Sequence, residues 1–212
     1  MALTMTTSPT DLLTAPLIEI EADGARSHVT LPGVLARLIT AERAAFPRVR
    51  AHQAHGWHVF LVSLARIALD HANLATPPES ETAWRDLLGR LTPEAPTAWD
   101  LVVDDHRLPA FLQPPLPPEA SGDYAAGKRA CCPDDVDLPL ASRGHALKAG
   151  HDGAARAEDW LHALVAAQTL APYSSPGQYR AARMADGYGS RIVLTAGTRV
   201  CPAHLFRRDL AA

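Results

Sequence analysis

The sequence predicts an α+β fold: a mainly helical domain with an N-terminal β-hairpin, a short late strand and long irregular loops. Three observations carry this expectation. Asp23-Gly24 separates two short stretches of strand character, the dipeptide being a strong signal for a tight hairpin turn. His52 through Ala72 is the longest periodic segment, with Val59-Phe60, Leu64, Ile67-Ala68 and His71 at three-to-four spacing, as on one buried helical face. Pro93 to Pro139 is rich in proline, including Pro109, Pro114-Pro115 and Pro117-Pro118, and reads as irregular connection.

Taken in order, Leu17 to Glu21 alternates apolar and acidic residues and Ser27 to Thr30 returns as the second strand. Thr30-Leu31-Pro32 opens a helix, with a hydroxyl cap and a proline in the first turn, followed by Val34, Leu35, Leu38 and Ile39. That helix is expected to stop by Phe46-Pro47. After the long core helix, Ser80 caps a third, Glu81 to Leu91, with Trp84, Leu87, Leu88 and Leu91 inward. Phe111 and Leu112 are the expected anchors of the proline-rich connection, and Pro133 to Lys148 shows no period and reads as a second long loop. Glu158 to Leu170 is the fourth helix and Arg191 to Ala196 the late strand.

At 212 residues, with 47% apolar and 20% charged residues, the chain suits a single folded domain over residues 1–212, with a disordered tail over 1–11. No apolar run approaches the roughly 20 residues of a membrane span, and MALTMTTSPTDLL has neither a basic start nor an apolar core, so a cytoplasmic location without membrane partners is expected. Cys131 and Cys132 are adjacent and Cys201 stands alone, a set that argues against a disulfide framework. The net charge of −3 disfavours a protein that coats DNA without specificity. Yet residues 171–212 hold six arginines against Asp186 and Asp209, a balance of +4, which leaves −7 on the first 170. That asymmetry suits a C-terminal part facing phosphate while the rest packs on protein.

His52, His55 and His58 are three apart, so on a helix successive members lie about 60° apart, a poor arrangement for one tetrahedral metal. The cysteines form no CxxC pair, and Asp104, Asp105 and His106 are explained by an acidic turn before Arg107. Ser142 and His145 offer a hydrolase nucleophile and base, but no strand–GxSxG–helix elbow surrounds the serine. With no P-loop, dinucleotide fingerprint or nuclease carboxylate cluster, no catalytic residue, metal or cofactor is expected.

What remains is cationic. In residues 159–191 an apolar helix runs into a small-residue loop, and Tyr173 to Arg183 holds Ser174, Ser175, Gly177, Gln178, Arg180 and Arg183 with no carboxylate until Asp186. Small residues let backbone N–H groups approach a phosphate, and arginine adds planar donors for phosphate or a guanine edge. Arg143, His145 and Lys148 place three more donors on the preceding loop, which fits backbone-phosphate contact better than hydrolysis. An ordinary solvated loop has the same composition.

LLTAPLIEIEADGARSHVTLPGVLARL at 12–38, HGWHVFLVSLARIAL, and WDLVVDDHRLPAFLQ before a proline stretch follow one another in the order seen in a known family. Together with LPLASRGHALK at 138–148 and the helix and loop after it, they resemble the N-terminal domain of CasA, the large subunit of the type I-E CRISPR Cascade complex. In the middle segment Pro109, Phe111, Leu112 and Gln113 match the family's Pro-Phe-Leu/Met-Gln, with Ala110 inserted.

The resemblance implies a non-catalytic subunit that recognises the protospacer-adjacent motif of foreign DNA and begins strand separation as the guide RNA pairs, protein reading a few base pairs and base pairing the rest. Its implied partners are other Cascade subunits, the CRISPR guide RNA, target double-stranded DNA and the helicase-nuclease that the complex recruits. The family's middle loop falls here on Ser142 to Lys148, and its glycine loop on Ser174 to Arg183. The implied DNA contacts are therefore Arg143, His145 and Lys148 on one and Ser174, Ser175, Gly177, Gln178, Arg180 and Arg183 on the other. Where the family has a run of glycines this chain has Ser174-Ser175-Pro176-Gly177, so close backbone approach falls near Gly177 and phosphate contact by the two arginines is favoured over base choice. The family's C-terminal four-helix bundle has no counterpart in these 212 residues. The alternative is a structural assembly subunit that binds neighbouring proteins or guide RNA without reading DNA.

Overall fold

Asp23 and Gly24 both take positive φ, 50° and 84°, the left-handed pair that a two-residue hairpin turn needs to match strand twist. In the computed structural model, which describes residues 9–116, 130–137, 155–170 and 201–212, they join β1 (Ile18–Ala22) to β2 (Ala25–Val29). The strands pair antiparallel with Ile18 opposite Val29 and Glu19 opposite His28. Ile18, Ile20 and Ala22 face the core, so Glu19 and Glu21 point the other way by the period-two rule. A third strand, β3 (Ala44–Ala45), pairs with the far edge of β1 at Glu21 and Ala22 only, giving the order β2-β1-β3. Asp23 holds this corner, its carboxylate accepting from the N–H groups of Glu42 and Arg43.

The helix α1 (Leu31–Thr40) begins as predicted: Thr30 Oγ1 accepts from Gly33 N–H at 3.0 Å and Pro32 lies in the first turn. It ends earlier than Phe46, because the chain turns into β3. Thr30 also donates to Glu81 at the start of α3 (Glu81–Gly89), which Ser80 caps through Ala83 N–H. A Cβ on Gly33 would lie 3.1 Å from Glu81 Oε2 and from Val29 Cβ, so a side chain here would push its neighbours back by a few tenths of an ångström. Trp84, Leu87 and Leu88 face inward as expected.

The long helix α2 (Ala54–His71) is present, but its buried stripe is rotated from the predicted one. Gly56, Trp57, Phe60, Leu61, Ala65, Ala68 and Leu69 are buried, whereas Ile67 is 57% exposed and His71 lies in solvent. The cause is packing: α4 (Ala157–Leu170) and α5 (Pro202–Ala211) both lie against α2, and close approach of helices favours Gly56, Ala65 and Ala68, small residues that add little to a hydrophobic period. Helix α5, not expected from the sequence, also packs on α1 and contributes Ala203, Phe206 and Leu210 to the core. The expected late strand at 191–196 lies outside the described residues.

Aromatic rings tie the proline-rich connection down. Trp57 contacts Phe46 and Phe60 at centroid distances of 5.8 and 5.6 Å, Phe60 contacts Phe111 at 5.7 Å, and Phe111 contacts Trp99 at 6.0 Å. Phe111 and Leu112 form the tip of a tight turn closed by paired Ala110 and Gln113, with Leu112 at φ 54° and its carbonyl accepting from Gln168 on α4. Thr10 and Asp11, expected within a disordered tail, are instead ordered: Leu101 N–H donates to Thr10 and Asp11 bridges to Asp100. The described residues form a mainly helical α+β domain, and none of its helices is long and apolar enough to cross a membrane.

Candidate functional site

All nine sequence-predicted contacts, Arg143, His145, Lys148, Ser174, Ser175, Gly177, Gln178, Arg180 and Arg183, lie outside the described residues, as do Ser142 and its proposed hydrolase role. The described residues show what holds the chain where it enters and leaves these segments. Before residue 138, Asp137 is fully buried and its carboxylate meets His52 Nε2 at 2.8 Å and accepts from Gln53 Nε2 at 2.6 Å. Arg50 bridges Asp134 at 2.7 Å and Asp137 at 3.6 Å, so a five-residue polar cluster fixes this point to the start of α2. After residue 200, Cys201 accepts from Ala44 N–H at 3.2 Å and opens α5. Burial pushes the Cys201 thiol up, but the N–H groups of Ala44, Ala203 and His204 outweigh it and its pKa is lowered.

Of the six arginines in 171–212, Arg207 is engaged inside the fold and Arg208 in a surface pair. Arg207 Nη1 donates to the carbonyls of Leu38, Ile39 and Ala41, closing the C-terminus of α1, and Arg208 pairs with Asp209. Arg207 thus departs from the expectation that the whole cationic end faces phosphate. The histidines before and within α2 are likewise spread apart: His52 meets Asp137, and His58 meets Asp209 on α5 at 2.7 Å. Burial, then the nearby His58, lowers the pKa of His55. Asp104 to Arg107 is the acidic turn expected, with Arg107 donating to Asp105 through its backbone and guanidinium; those bonds hold the Asp105 carboxyl at about 2.

The first turns of α4 carry a polar group that sequence reasoning missed. Glu158 is 2% exposed; Oε1 accepts from Glu19 N–H at 2.8 Å, while Oε2 is buried with no partner among the described residues. That N–H points away from β2, toward the edge that β3 leaves open beyond Glu21. Glu19 and His28 are therefore a non-hydrogen-bonded pair, the type that brings facing side chains closest. Burial raises the Glu158 pKa to about 7 against the lowering effect of the Glu19 N–H and of Arg48. Beside it Arg48 Nη2 donates to both oxygens of Asp159, at 2.6 and 2.7 Å. Burial raises the Asp159 pKa, and the Arg156 N–H and Arg48 more than reverse it. One turn on, His162 is 2% exposed, stands edge-on to Trp57 at 4.9 Å and has neither ring nitrogen bonded among the described residues; burial lowers its pKa to about 4, so it is a neutral core residue at pH 7.

Comparison with protein-family models, with curated proteins and with solved structures finds no match.

Proposed function

We propose that this chain is a non-catalytic DNA-recognition subunit of a type I-E CRISPR Cascade-like complex, contacting target DNA next to the protospacer. One observation supports the reading most. Three of the segments on which the resemblance rests, 12–38, 55–69 and 99–113, are far apart in sequence yet share one core: Leu12 N–H donates to Trp99, Leu31 N–H to Leu12, and Phe60 meets Phe111. A family's order of motifs has physical sense when the motifs are one another's packing partners. On this reading Arg180 and Arg183 grip phosphate and Arg143, His145 and Lys148 form a second arm. The particular assembly, its DNA motif and a cytoplasmic setting belong to the same proposal.

The test is reconstitution with the other Cascade subunits and guide RNA. An Arg180→Ala/Arg183→Ala pair should weaken DNA binding by the assembled complex and flatten its salt slope by about 0.9 for each phosphate that is no longer neutralised. Unchanged affinity and slope would remove these residues from the interface.

A second reading, an assembly subunit that holds neighbouring protein or guide RNA and reads no DNA, draws on the exposed apolar side chains. Val102 is 62% exposed and Leu108 46% on one connection, with Ile67 and Leu74 near the end of α2. Crosslinks confined to protein or RNA in the assembled complex favour this version; crosslinks to target DNA favour the first.

A further inference from the structure

We propose that Glu19, His28 and Glu158 form a divalent-metal site, for which zinc is the best-suited ion. The proposal goes beyond the DNA-recognition reading and does not rest on it. One ligand atom from each residue lies within 4.8 Å of the other two. The three come from both strands of the hairpin and from α4, and their arrangement is set by the backbone: the strand register puts His28 opposite Glu19, and the Glu19 N–H holds the Glu158 carboxylate at the same edge.

Proximity of acidic groups alone would carry little. The second observation is the state of Glu158, which is nearly inaccessible to solvent yet keeps Oε2 without a hydrogen-bond partner among the described residues. A buried carboxylate oxygen with no donor is costly unless something cationic or a proton meets it. A divalent ion held by this oxygen together with Glu19 and His28 meets that need, and binding displaces any proton the carboxylate carries.

One imidazole and two carboxylates match zinc's preference for mixed nitrogen and oxygen ligands in a four-coordinate shell, with water in the remaining position. Magnesium and calcium demand more oxygen donors than this group supplies. Zinc ligands at about 2.0–2.1 Å would stand about 3.4 Å apart, so the three side chains must close slightly. His28 is exposed and has room to rotate toward Glu19, whose side chain is mostly covered. Two cations face the group: Arg26, with Nη1 3.9 Å from Glu19 Oε1, and Arg48, paired mainly with Asp159. Arg26 is 64% exposed in its side chain and yields the outer position without disturbing the core. Bound metal would clip α4 to the hairpin.

The experiment is calorimetric titration of metal-free full chain with zinc chloride, in a Cys131→Ser/Cys132→Ser background that removes the exposed thiols. We expect one equivalent to bind, a rise in Tm of about 5 °C at saturating zinc, and at least about tenfold weaker binding in His28→Ala and in Glu158→Gln. Magnesium and calcium should leave the Tm unchanged. If Glu158→Gln does not fold, His28→Ala and Glu19→Gln, altered on the outward face of the hairpin, carry the test. No saturable binding up to about 100 μM zinc overturns the proposal, as does equal affinity in wild type and His28→Ala.

Discussion

Glu158, in the first turn of α4, accepts a hydrogen bond from the backbone N–H of Glu19 at 2.8 Å, joining elements 139 residues apart in sequence. A side-chain carboxylate thus takes the place that a carbonyl of β3 would hold were that strand longer. The edge of β1 is satisfied by a group whose charge depends on pH.

The pH dependence has a definite sign. Glu158 has a folded pKa of about 7 against an ordinary 4.5, so the folded state holds the proton more firmly than the unfolded chain. The resulting stability is full below about pH 4.5 and is lost as pH rises through about 7, by at most about 3 kcal/mol. In metal-free buffer, thermal melts from pH 5 to 8 should show wild type losing stability relative to Glu158→Gln. Parallel profiles for the two would exclude Glu158 as the titrating group.

The rotated face of α2 makes two apolar residues of the predicted stripe, Phe60 and Ile67, unequal. Phe60→Ala should cost about 3–5 kcal/mol in urea denaturation, since its ring sits between Trp57 and Phe111. Ile67→Ala should change stability by less than about 0.5 kcal/mol, its side chain being mostly in solvent. Equal effects at the two positions would restore the stripe predicted from periodicity.

Asp137 is the acceptor on which His52 and Gln53 converge. Asp137→Ala should destabilise by roughly 2–4 kcal/mol, because it leaves the buried Gln53 amide without its partner as well as removing a charge-assisted bond. A double-mutant cycle with Gln53→Leu measures the coupling, expected to be positive and at least about 1 kcal/mol.

Arg207 separates structural from ligand-facing arginine. Arg207→Ala should lower stability by about 1–2 kcal/mol, because it strips three carbonyls at the end of α1 of their cationic donor. In the reconstituted complex the same change should leave the salt slope of DNA binding unaltered. A flattened slope would show that Arg207 contacts phosphate.

How much of the fold is legible in the sequence depends on whether a signal is local. The Asp23-Gly24 turn, the Thr30 and Ser80 caps and the inward face of α3 are decided within a few residues, and each stands where the sequence places it. Helix α5 carries local signals too: Pro202 in the first turn, and Ala203, Phe206 and Leu210 at spacings of three and four, in a short segment that is otherwise largely polar. The stripe of α2 is not legible, because which side is buried depends on where α4 and α5 arrive. Glu158 reads as an ordinary first-turn acid favoured by the helix dipole, and nothing near it in sequence announces Glu19 or His28 as its neighbours. The nine contacts in the two loops rest on chemistry and resemblance, and lie outside the described residues.

The seating of α5 also bears on how the chain reaches its native state. Cys201 against Ala44, Arg207 against the end of α1 and Asp209 against His58 are contacts spanning more than 150 residues. During synthesis, α1 and α2 emerge long before α5, so the core they share with Phe206 and Leu210 closes only when residues 202–211 arrive. Until then those early helices keep apolar surface open to solvent, which makes the arrival of α5 a docking event onto a core already partly built.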